Sequence, residues 1–268
     1  MHTATICCPT RGSLSSSGRI VGGEDTEPGE YAWMAALIKK SSTPPSSTQS
    51  PFCGGSLISP GHVLTAATCV REDRQDPSSF LVRIGEHDFA NTSETEHRDF
   101  NVARIHIHPN FTERSWGLYN DLAILELDNP SEDEPATVCL PKKAGEFKGC
   151  GAVVTGWGVT QEGEMTQPLI LQQVRVDVYS QEKCRESYQG ITNTHLCAGD
   201  ENGEKDSCQG DTGGPLLVGL EGKWVQVGIV SYGIGCAWPG YPGVYANVSS
   251  HLPWIAGQLG PYTLNGTG

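Results

Sequence analysis

Short runs of apolar residues recur along the chain, separated by Gly, Pro, Ser, Asn and Asp. Runs of this length, bounded by turn residues, predict a strand-rich fold. The runs are Trp33–Ile38, Ser56–Ile58, Val63–Ala67, Phe80–Ile84, Leu122–Leu127, Ala152–Trp157, Leu169–Val178, Leu216–Val218, Trp224–Tyr232 and Gly243–Val248. By contrast, Ser249–Leu259 carries apolar residues at helical spacing after two serines, which predicts a C-terminal helix.

Two stretches lack this pattern and indicate boundaries. Residues 1–19 are polar and rich in serine, and they end in Arg19, so we interpret them as a flexible lead segment. Asp128–Gly149 is rich in Pro, Glu and Lys, which predicts a connection between two halves. The length of 268 residues suits one large all-β domain or two small ones.

The composition narrows the class of protein. The 33 glycines and 17 prolines suit short strands joined by tight turns. A net charge of −13 argues against nucleic acid as a partner, because phosphate binding requires a basic surface. The acidic charge is explained by solubility or by a cationic partner. No run of eighteen apolar residues occurs, so no membrane span is expected.

The cysteines and sequons indicate an extracellular protein. Ten cysteines without a CxxC pattern predict disulfides in an oxidising compartment rather than a metal site. Asn-x-Ser/Thr sequons begin at Asn91, Asn110, Asn247 and Asn265, and they fit a secreted glycoprotein. The N-terminus has no apolar signal-peptide core, so a secretion signal would lie upstream or have been removed.

Four segments carry a family resemblance, and two short ones accompany them. They are Arg19–Gly23, Leu64–Cys69, Asn120–Leu125 and Asp206–Pro215, with Gly156–Gly158 and Ser231–Gly233. Together they resemble the trypsin/chymotrypsin family of serine proteases over about residues 19–260. The resemblance implies an all-β fold of two six-stranded antiparallel β-barrels with a cleft between them and a short C-terminal helix. The implied domain covers residues 20–268, with barrels at about 20–128 and 148–250.

Two of the three catalytic positions depart from the family. Thr68 stands where the family carries His, and Thr212 stands where it carries the nucleophilic Ser; only Asp121 matches. A hydroxyl at neutral pH needs an adjacent base, which His supplies and Thr cannot. The extra methyl of Thr212 also restricts its rotamer and crowds attack. We therefore expect no functional catalytic triad.

No other histidine occupies the motif position. Of the eight histidines, His62 lies six residues before Thr68, and we do not expect it to act as the catalytic base. Asp121 is then a buried carboxylate without an imidazole, which is costly unless another donor satisfies it. We expect the Thr68 hydroxyl or a water to bond to it.

The specificity pocket matches the trypsin-like pattern. Asp206 lies six residues before Thr212, where trypsin-like members carry the acid that pairs with a substrate Arg or Lys. Gly233 and Gly243 match the residues that leave the slot open, and Ser231 matches the strand that pairs with substrate backbone. The resemblance thus implies that the protein holds a basic side chain without cutting after it.

Two further devices are implied by the resemblance. The backbone N–H groups of Gly210 and Thr212 would form the oxyanion hole. Cleavage after Arg19 would release the Ile20 ammonium, which pairs with Asp211 in active relatives and orders the pocket. Here that ion pair would act as a conformational switch for partner binding.

The resemblance also implies disulfide pairings. Three family bridges are matched by Cys53–Cys69, Cys184–Cys197 and Cys208–Cys236. Cys139 matches the position that ties the domain to an upstream segment, so Cys7 or Cys8 would bridge to it, as in Cys8–Cys139. The usual partner position of Cys150 holds Val218, and its partner stays open.

The lead segment carries a second resemblance. Cys7-Cys8-Pro9 is similar to the end of a clip domain, the small disulfide module that precedes arthropod immune proteases. Together with the altered triad, it resembles the arthropod clip-domain serine protease homologues. Members of that group act as cofactors in prophenoloxidase activation or as immune binding proteins. Their usual change is at the Ser alone, whereas two positions differ here.

An acidic loop is the one candidate metal site. Glu86 and Glu96 flank a loop that resembles the calcium loop of some trypsins, and oxygen ligands suit Ca²⁺. The alternative is a solvated acidic loop without metal. We expect no other cofactor.

Three hypotheses of function follow. The first is a non-catalytic binding or cofactor protein in an extracellular proteolytic or innate immune cascade, with protein partners. The second is a trypsin-like endopeptidase cleaving after Arg or Lys, whose catalytic residues are substituted in this sequence. The third is a decoy that binds ligands bearing Arg or Lys through Asp206.

Overall fold

The computed structural model describes residues 23–40, 50–91, 93–130, 136–145 and 147–259. Its first sheet contains seven antiparallel strands from the first half of the chain. They are β2 (Met34–Lys39), β3 (Cys53–Ser59), β4 (His62–Thr65), β5 (Phe80–Ile84), β6 (Arg98–Phe100), β7 (Val102–Ile107) and β10 (Ala123–Leu127).

The first sheet is a half-barrel. Its order is β6-β5-β2-β3-β4-β10-β7, so β6 and β7 form the two edges. Only Asn101 separates these strands in sequence. The sheet must therefore curl to bring its edges near each other. The inward faces are apolar: β5 alternates buried and half-buried residues, while all of β2 except Lys39 is buried.

The second sheet closes completely. It contains β1 (Glu24–Asp25), β11 (Gly151–Gly156), β12 (Gln172–Val178), β13 (His195–Gly199), β14 (Pro215–Leu220), β15 (Lys223–Tyr232) and β16 (Gly243–Asn247). Its order is β1-β12-β11-β14-β15-β16-β13, and a further pairing of β12 with β13 closes six strands into a barrel. The seventh strand, β1, lies outside the closed barrel and pairs with β12.

The remaining elements are short. Strands β8 (Thr112–Arg114) and β9 (Gly117–Tyr119) form a separate hairpin, and the helices are α1 (Ala67–Val70), α2 (Gln181–Ser187) and α3 (Val248–Gln258). The Ser180 hydroxyl caps α2 by accepting from Lys183 N at 3.2 Å. Among the described residues, no helix has the length and apolar character needed to cross a membrane.

The first strand, β1, and the last helix, α3, each contact the opposite half. Strand β1 pairs with β12 of the second sheet, although it precedes the first. Helix α3 follows the second barrel, but its buried face of Val248, Leu252 and Ile255 packs into the core of the first half. These contacts fix the halves against each other, and the cleft between them takes its residues from both.

The all-β fold class with a C-terminal helix is confirmed, and every apolar run named above overlaps a strand. Sequence reasoning missed the strands without a continuous apolar run, such as β7, whose middle residues are exposed. It also missed α1 and α2. The expectation of two closed barrels differs in one respect, because the first sheet remains a half-barrel by its hydrogen bonds.

Candidate functional site

The cleft brings together the two threonine positions. Thr68 lies in helix α1, and its neighbour Cys69 forms a disulfide with Cys53 on strand β3. The Cys69 Sγ lies 3.5 Å from the Thr212 carbonyl oxygen, which also accepts from Gly54 N at 2.8 Å. The first half thereby presents Thr68 beside the loop of the second half that carries Thr212.

Asp121 is held by Thr68 and by Ser231. The Thr68 backbone N–H donates to its Oδ1 at 2.9 Å, and the Thr68 hydroxyl donates to its Oδ2 at 3.0 Å. The Ser231 hydroxyl donates to Oδ2 at 2.6 Å. Burial raises the pKa of Asp121, whose exposed fraction is 1%, while these donors oppose that shift. The expected hydrogen bond from Thr68 to Asp121 is confirmed.

Sequence reasoning assigned Ser231 to the strand that pairs with substrate backbone and missed its second contact. Ser231 lies near the end of β15, 110 residues from Asp121 in the chain, and only the fold places the two together. The hydroxyls of Thr68 and Ser231 thus satisfy the carboxylate jointly. A buried carboxylate with several donors is stable without an imidazole.

No described histidine takes the place of the missing base. His62 accepts or donates at Nδ1 to the Ser59 hydroxyl at 2.7 Å, within the β3–β4 hairpin. His195 bonds the Leu118 carbonyl oxygen at 2.8 Å, and His251 bonds the Asn247 carbonyl oxygen at 2.7 Å. Within the described residues, nothing hydrogen-bonds the Thr212 hydroxyl, which is half-buried.

The loop before Thr212 carries the two N–H groups that the family resemblance implies for an oxyanion hole. Gly210 has φ +100°, a conformation that L side chains rarely adopt, and a Cβ there would collide with the Gln167 amide. Neither Gly210 N–H nor Thr212 N–H has a backbone acceptor within the part of the chain that the structure describes. Both donors therefore remain available to an anionic oxygen in the cleft.

Asp211 lies in this loop between Gly210 and Thr212, and it is completely buried. Its Oδ1 accepts from Gly158 N at 2.8 Å and its Oδ2 accepts from Cys208 N at 2.9 Å. Burial raises the pKa of Asp211 to about 6. The expected partner, Ile20, and the cleavage residue Arg19 lie outside the described residues.

The pocket acid Asp206 is buried, with an exposed fraction of 3%. Its Oδ1 accepts from Ser207 N at 2.8 Å and its Oδ2 accepts from Ala237 N at 3.0 Å. A Cβ on Gly243 would lie 2.9 Å from Asp206 Oδ1, so a larger residue there would crowd the carboxylate. Burial raises the pKa of Asp206 to about 7, with the two N–H donors opposing the shift.

Gly233 and Gly243 lie side by side in this pocket. A Cβ built on Gly233 would lie 4.0 Å from Gly243 Cα, so the two backbones face each other without an intervening side chain. Tyr188, which sequence reasoning did not single out, supports the same wall. Its hydroxyl accepts from Ile234 N at 3.3 Å and donates to the Pro242 carbonyl oxygen at 2.8 Å.

The structure contains the three implied disulfides, Cys53–Cys69, Cys184–Cys197 and Cys208–Cys236. The implied Cys8–Cys139 bridge is not formed. Cys139 is a free, half-buried thiol, while Cys150 is disulfide-bonded. The backbone holds Cys139 beside β15, where its carbonyl oxygen accepts from Gln226 N at 2.9 Å. Cys7 and Cys8 lie outside the described residues.

The acidic loop places its two glutamates in different surroundings. The Glu86 side chain is fully buried: its Oε2 lies 3.1 Å from Arg83 Nη1 and 3.2 Å from His97 Nδ1, and its Oε1 accepts from His87 N at 3.0 Å. Glu96 is exposed. Across the described ranges, no group of three or more His, Cys, Asp or Glu is placed to hold a metal ion.

The sequons differ in their surroundings. Asn91 and Asn110 are exposed. Asn247 caps helix α3: its Oδ1 accepts from Ser249 N at 3.1 Å, and its Nδ2 donates to the Asn193 carbonyl oxygen at 3.0 Å. Both ends of that amide form hydrogen bonds in the folded protein. Asn265 lies outside the described residues.

A closed six-strand barrel and a half-barrel, with a cleft lined from both sides, define a trypsin-like fold. The chain matches the family described as Trypsin over residues 20–255. It is 35% identical over 259 residues to the proclotting enzyme of Tachypleus tridentatus, a match covering 91% of this chain and 67% of that protein. It is 38% identical over 241 residues to Trypsin-1 of Astacus astacus, covering 88% of this chain and 98% of that protein.

A match to the serine proteinase stubble of Drosophila melanogaster is 37% identical over 247 residues, but the chain spans only 30% of that protein's length. The coverage of the smaller relatives is enough to assign the family. The chain belongs to the trypsin family of serine proteases.

Proposed function

We propose that this chain is a non-catalytic member of the trypsin family, a secreted protein that binds a partner in an extracellular proteolytic or immune cascade. The observation that carries the proposal is the hydrogen bond from the Thr68 hydroxyl to Asp121 Oδ2 at 3.0 Å. Where a general base would stand, the chain has a hydroxyl that donates a hydrogen bond to the carboxylate.

The chemistry of Thr68 supports inactivity. A threonine hydroxyl cannot accept and return a proton near neutral pH, so the Thr212 hydroxyl has no route to a reactive alkoxide. Loss of such a pair costs about 10⁶ in kcat in a related mechanism. The free oxyanion donors would retain only about 10³–10⁴ over water, which is not useful turnover.

The pocket supports binding. Asp206 lies at its base. Each of its oxygens accepts one N–H, from Ser207 or Ala237, and each can accept a second hydrogen bond. The flanking glycines place no side chain between the pocket and this carboxylate. A Lys or Arg side chain that reaches Asp206 gains a charge-assisted hydrogen bond in a low-dielectric site. The protein would thus hold a basic side chain of a partner without cleaving the bond after it.

The relatives support the setting. Two of them are named proclotting enzyme and Clotting factor G beta subunit, both of Tachypleus tridentatus. These names and the described disulfides fit an extracellular cascade. The likeness of Cys7-Cys8-Pro9 to the end of a clip domain supports a cofactor role such as that in prophenoloxidase activation.

The direct test is amidolysis of an Arg-containing chromogenic peptide by the chain cleaved after Arg19 and freed of the cleaving enzyme. We expect no turnover above the uncatalysed rate. Thr68→His with Thr212→Ser should create activity, and adding Asp121→Asn to that pair should reduce it by about 10⁴. Clear turnover by the unmodified chain would overturn the proposal.

The same assay decides the second candidate, a trypsin-like endopeptidase whose catalytic residues are substituted in this sequence. The available oxyanion donors and the open pocket favour it, because they are the parts that an active enzyme needs. The third candidate, a decoy for ligands bearing Arg or Lys, predicts tight binding of benzamidine that is lost in Asp206→Ser. A protein with neither turnover nor benzamidine binding would exclude both.

A further inference from the structure

One loop of the second barrel exposes an unusual amount of apolar surface. Within the described residues, five large apolar side chains are exposed, and three of them lie between residues 234 and 241. They are Ile234, Trp238 and Tyr241, with exposed fractions of 45%, 49% and 39%. We call this segment, residues 234–241, the rim loop, because its Ala237 N–H donates to Asp206 at 3.0 Å at the base of the pocket.

A disulfide and hydrogen bonds hold the backbone of the rim loop in place, and this backbone keeps its apolar side chains exposed. Cys236 is tied to Cys208 by a disulfide. The Gly240 carbonyl oxygen accepts from the Ser187 hydroxyl at 2.5 Å, and Tyr241 N donates to the Trp238 carbonyl oxygen at 3.0 Å. A fixed, exposed apolar patch beside a pocket is typical of a binding surface.

Trp238 stands with one edge against a carboxylate. Its indole N–H donates to Glu162 Oε2 at 2.6 Å, and Gly235 packs against its five-membered ring, where a Cβ would lie 2.5 Å from both Nε1 and Cε2. These two contacts set the ring's orientation. The side chain is still 49% exposed, so part of the ring surface remains open to a cation, with the exposed Glu162 carboxylate beside it.

The surroundings of the rim loop are acidic. Gly203 packs directly on it, because a Cβ there would lie 2.6 Å from the Ala237 carbonyl oxygen. The loop that contains Gly203 carries the acidic residues Asp200 and Glu204, of which Glu204 is exposed, and one basic residue, Lys205. Among the described residues, neither Glu162 nor Glu204 forms an ion pair. Negative charge around open aromatic surface favours a cationic ligand over a neutral apolar one.

We infer that the rim loop is a second cation subsite, at which Trp238 and Glu162 hold a Lys or Arg of a partner segment whose other basic residue enters the Asp206 pocket. The inference rests on the proposed binding function, since it names the class of partner: an exposed protein segment with two basic residues. Tryptophan is the strongest aromatic binder of cations, and a nearby carboxylate adds an ion pair. A second contact on one segment raises affinity and restricts which partners fit.

The test uses acetylated hexapeptide amides made of Ser and Gly. The reference peptide carries one Arg, and each peptide of the series carries in addition one Lys, placed in turn at every remaining position. Binding is measured by calorimetry on the full chain, with benzamidine as the probe of the pocket alone. We expect at least one Lys position to tighten binding by about fivefold, and the gain to shrink in high salt. Trp238→Leu and Glu162→Gln should each remove the gain and leave benzamidine binding unchanged.

Controls separate this inference from the proposal on which it rests. Met165→Ser removes another fully exposed apolar side chain, next to the same Glu162 loop, and should leave the gain intact. If benzamidine does not bind at all, the pocket proposal fails. If benzamidine binds but no Lys position tightens binding, only the rim subsite fails. An equal gain from norleucine in place of Lys would show an apolar contact and overturn the cationic assignment.

Discussion

Asp121 shows how this chain keeps a buried carboxylate after the loss of its usual neighbour. Three donors on two residues converge on it: the N–H and hydroxyl of Thr68, and the hydroxyl of Ser231 at 2.6 Å. Thr68 is neutral, and it satisfies the buried carboxylate by donating hydrogen bonds to it.

Removal of the Thr68 hydroxyl tests this account. Thr68→Val keeps the shape but removes one donor from a buried carboxylate, so we expect the free energy of unfolding to fall by about 1.5–3 kcal/mol at pH 7. Urea denaturation measures the change. Thr166→Val, at an exposed position, is the matched control and should shift stability by less than about 0.5 kcal/mol. Equal effects of the two substitutions would contradict the role of Thr68.

Asp206 predicts a pH-dependent pocket. Because burial raises the pKa of Asp206 to about 7, the carboxyl is mostly neutral below that pH and mostly ionised above it. Benzamidine, a permanent cation in this range, should bind more tightly as pH rises from 6 to 8, about tenfold over the titration. Calorimetry at several pH values measures it. A flat profile, or a profile that Asp206→Asn leaves unchanged, would contradict the prediction.

The same residue predicts the opposite trend for stability without ligand. A carboxyl with a folded-state pKa above its unfolded value binds protons more tightly when folded, so it favours folding as pH falls from about 7 towards 4. Asp206→Asn removes the cost of burying the ionised form. We expect the variant to be more stable than the parent at pH 8, with the difference vanishing near pH 4. A difference of equal size at both pH values would exclude ionisation as its cause.

Helix α3 depends on its cap because few of its own residues favour a helix. Its sequence contains Pro253 and two serines in the first turn, and the Asn247 Oδ1 accepts from Ser249 N at 3.1 Å. The helix covers the core of the first half, so its N-terminus links the strand β16 of one half to the core of the other. A cap at this junction contributes to how the halves are held.

Substitution of the cap separates capping from glycosylation. Asn247→Ala should lower the free energy of unfolding by about 1 kcal/mol, whereas Asn247→Asp, which keeps a capping oxygen, should cost less. Both variants remove the sequon. Thermal denaturation measures the stability, and mass spectrometry of secreted protein should find glycans at Asn91 and Asn110 but not at Asn247. A glycan at Asn247 would contradict the capped geometry.

The whole molecule is expected to respond to cleavage after Arg19. Asp211 is fully buried with N–H donors from Gly158 and Cys208, and it lies in the loop that carries Gly210 and Thr212. A new ammonium at Ile20 that reached Asp211 would neutralise its charge and hold this loop, and with it the pocket.

We therefore expect the cleaved chain to bind benzamidine about tenfold more tightly than the intact chain. Calorimetry on both forms measures the change. Arg19→Gln should prevent cleavage and keep the weaker affinity, and Asp211→Asn should abolish the difference between forms. Identical affinities of the intact and cleaved parent would show that cleavage does not control the pocket.

The amino-acid sequence by itself determined the all-β class and the family, because these depend on residue type and short-range pattern. Apolar runs such as Phe80–Ile84 form strands wherever one face can be buried, and β5 has the predicted bounds. Strand β7, whose middle residues are exposed, carries no such local signal, and only its pairing with β10 defines it.

Contacts between distant residues were decided by the tertiary structure alone. The bond from Ser231 to Asp121 spans 110 residues, and the bond from Trp238 to Glu162 spans 76. The same holds for the contact of Glu86 with His97 across the acidic loop, and for the free thiol of Cys139. The physical reason is that a hydrogen bond or ion pair depends on where the chain folds back, and sequence spacing does not encode that distance.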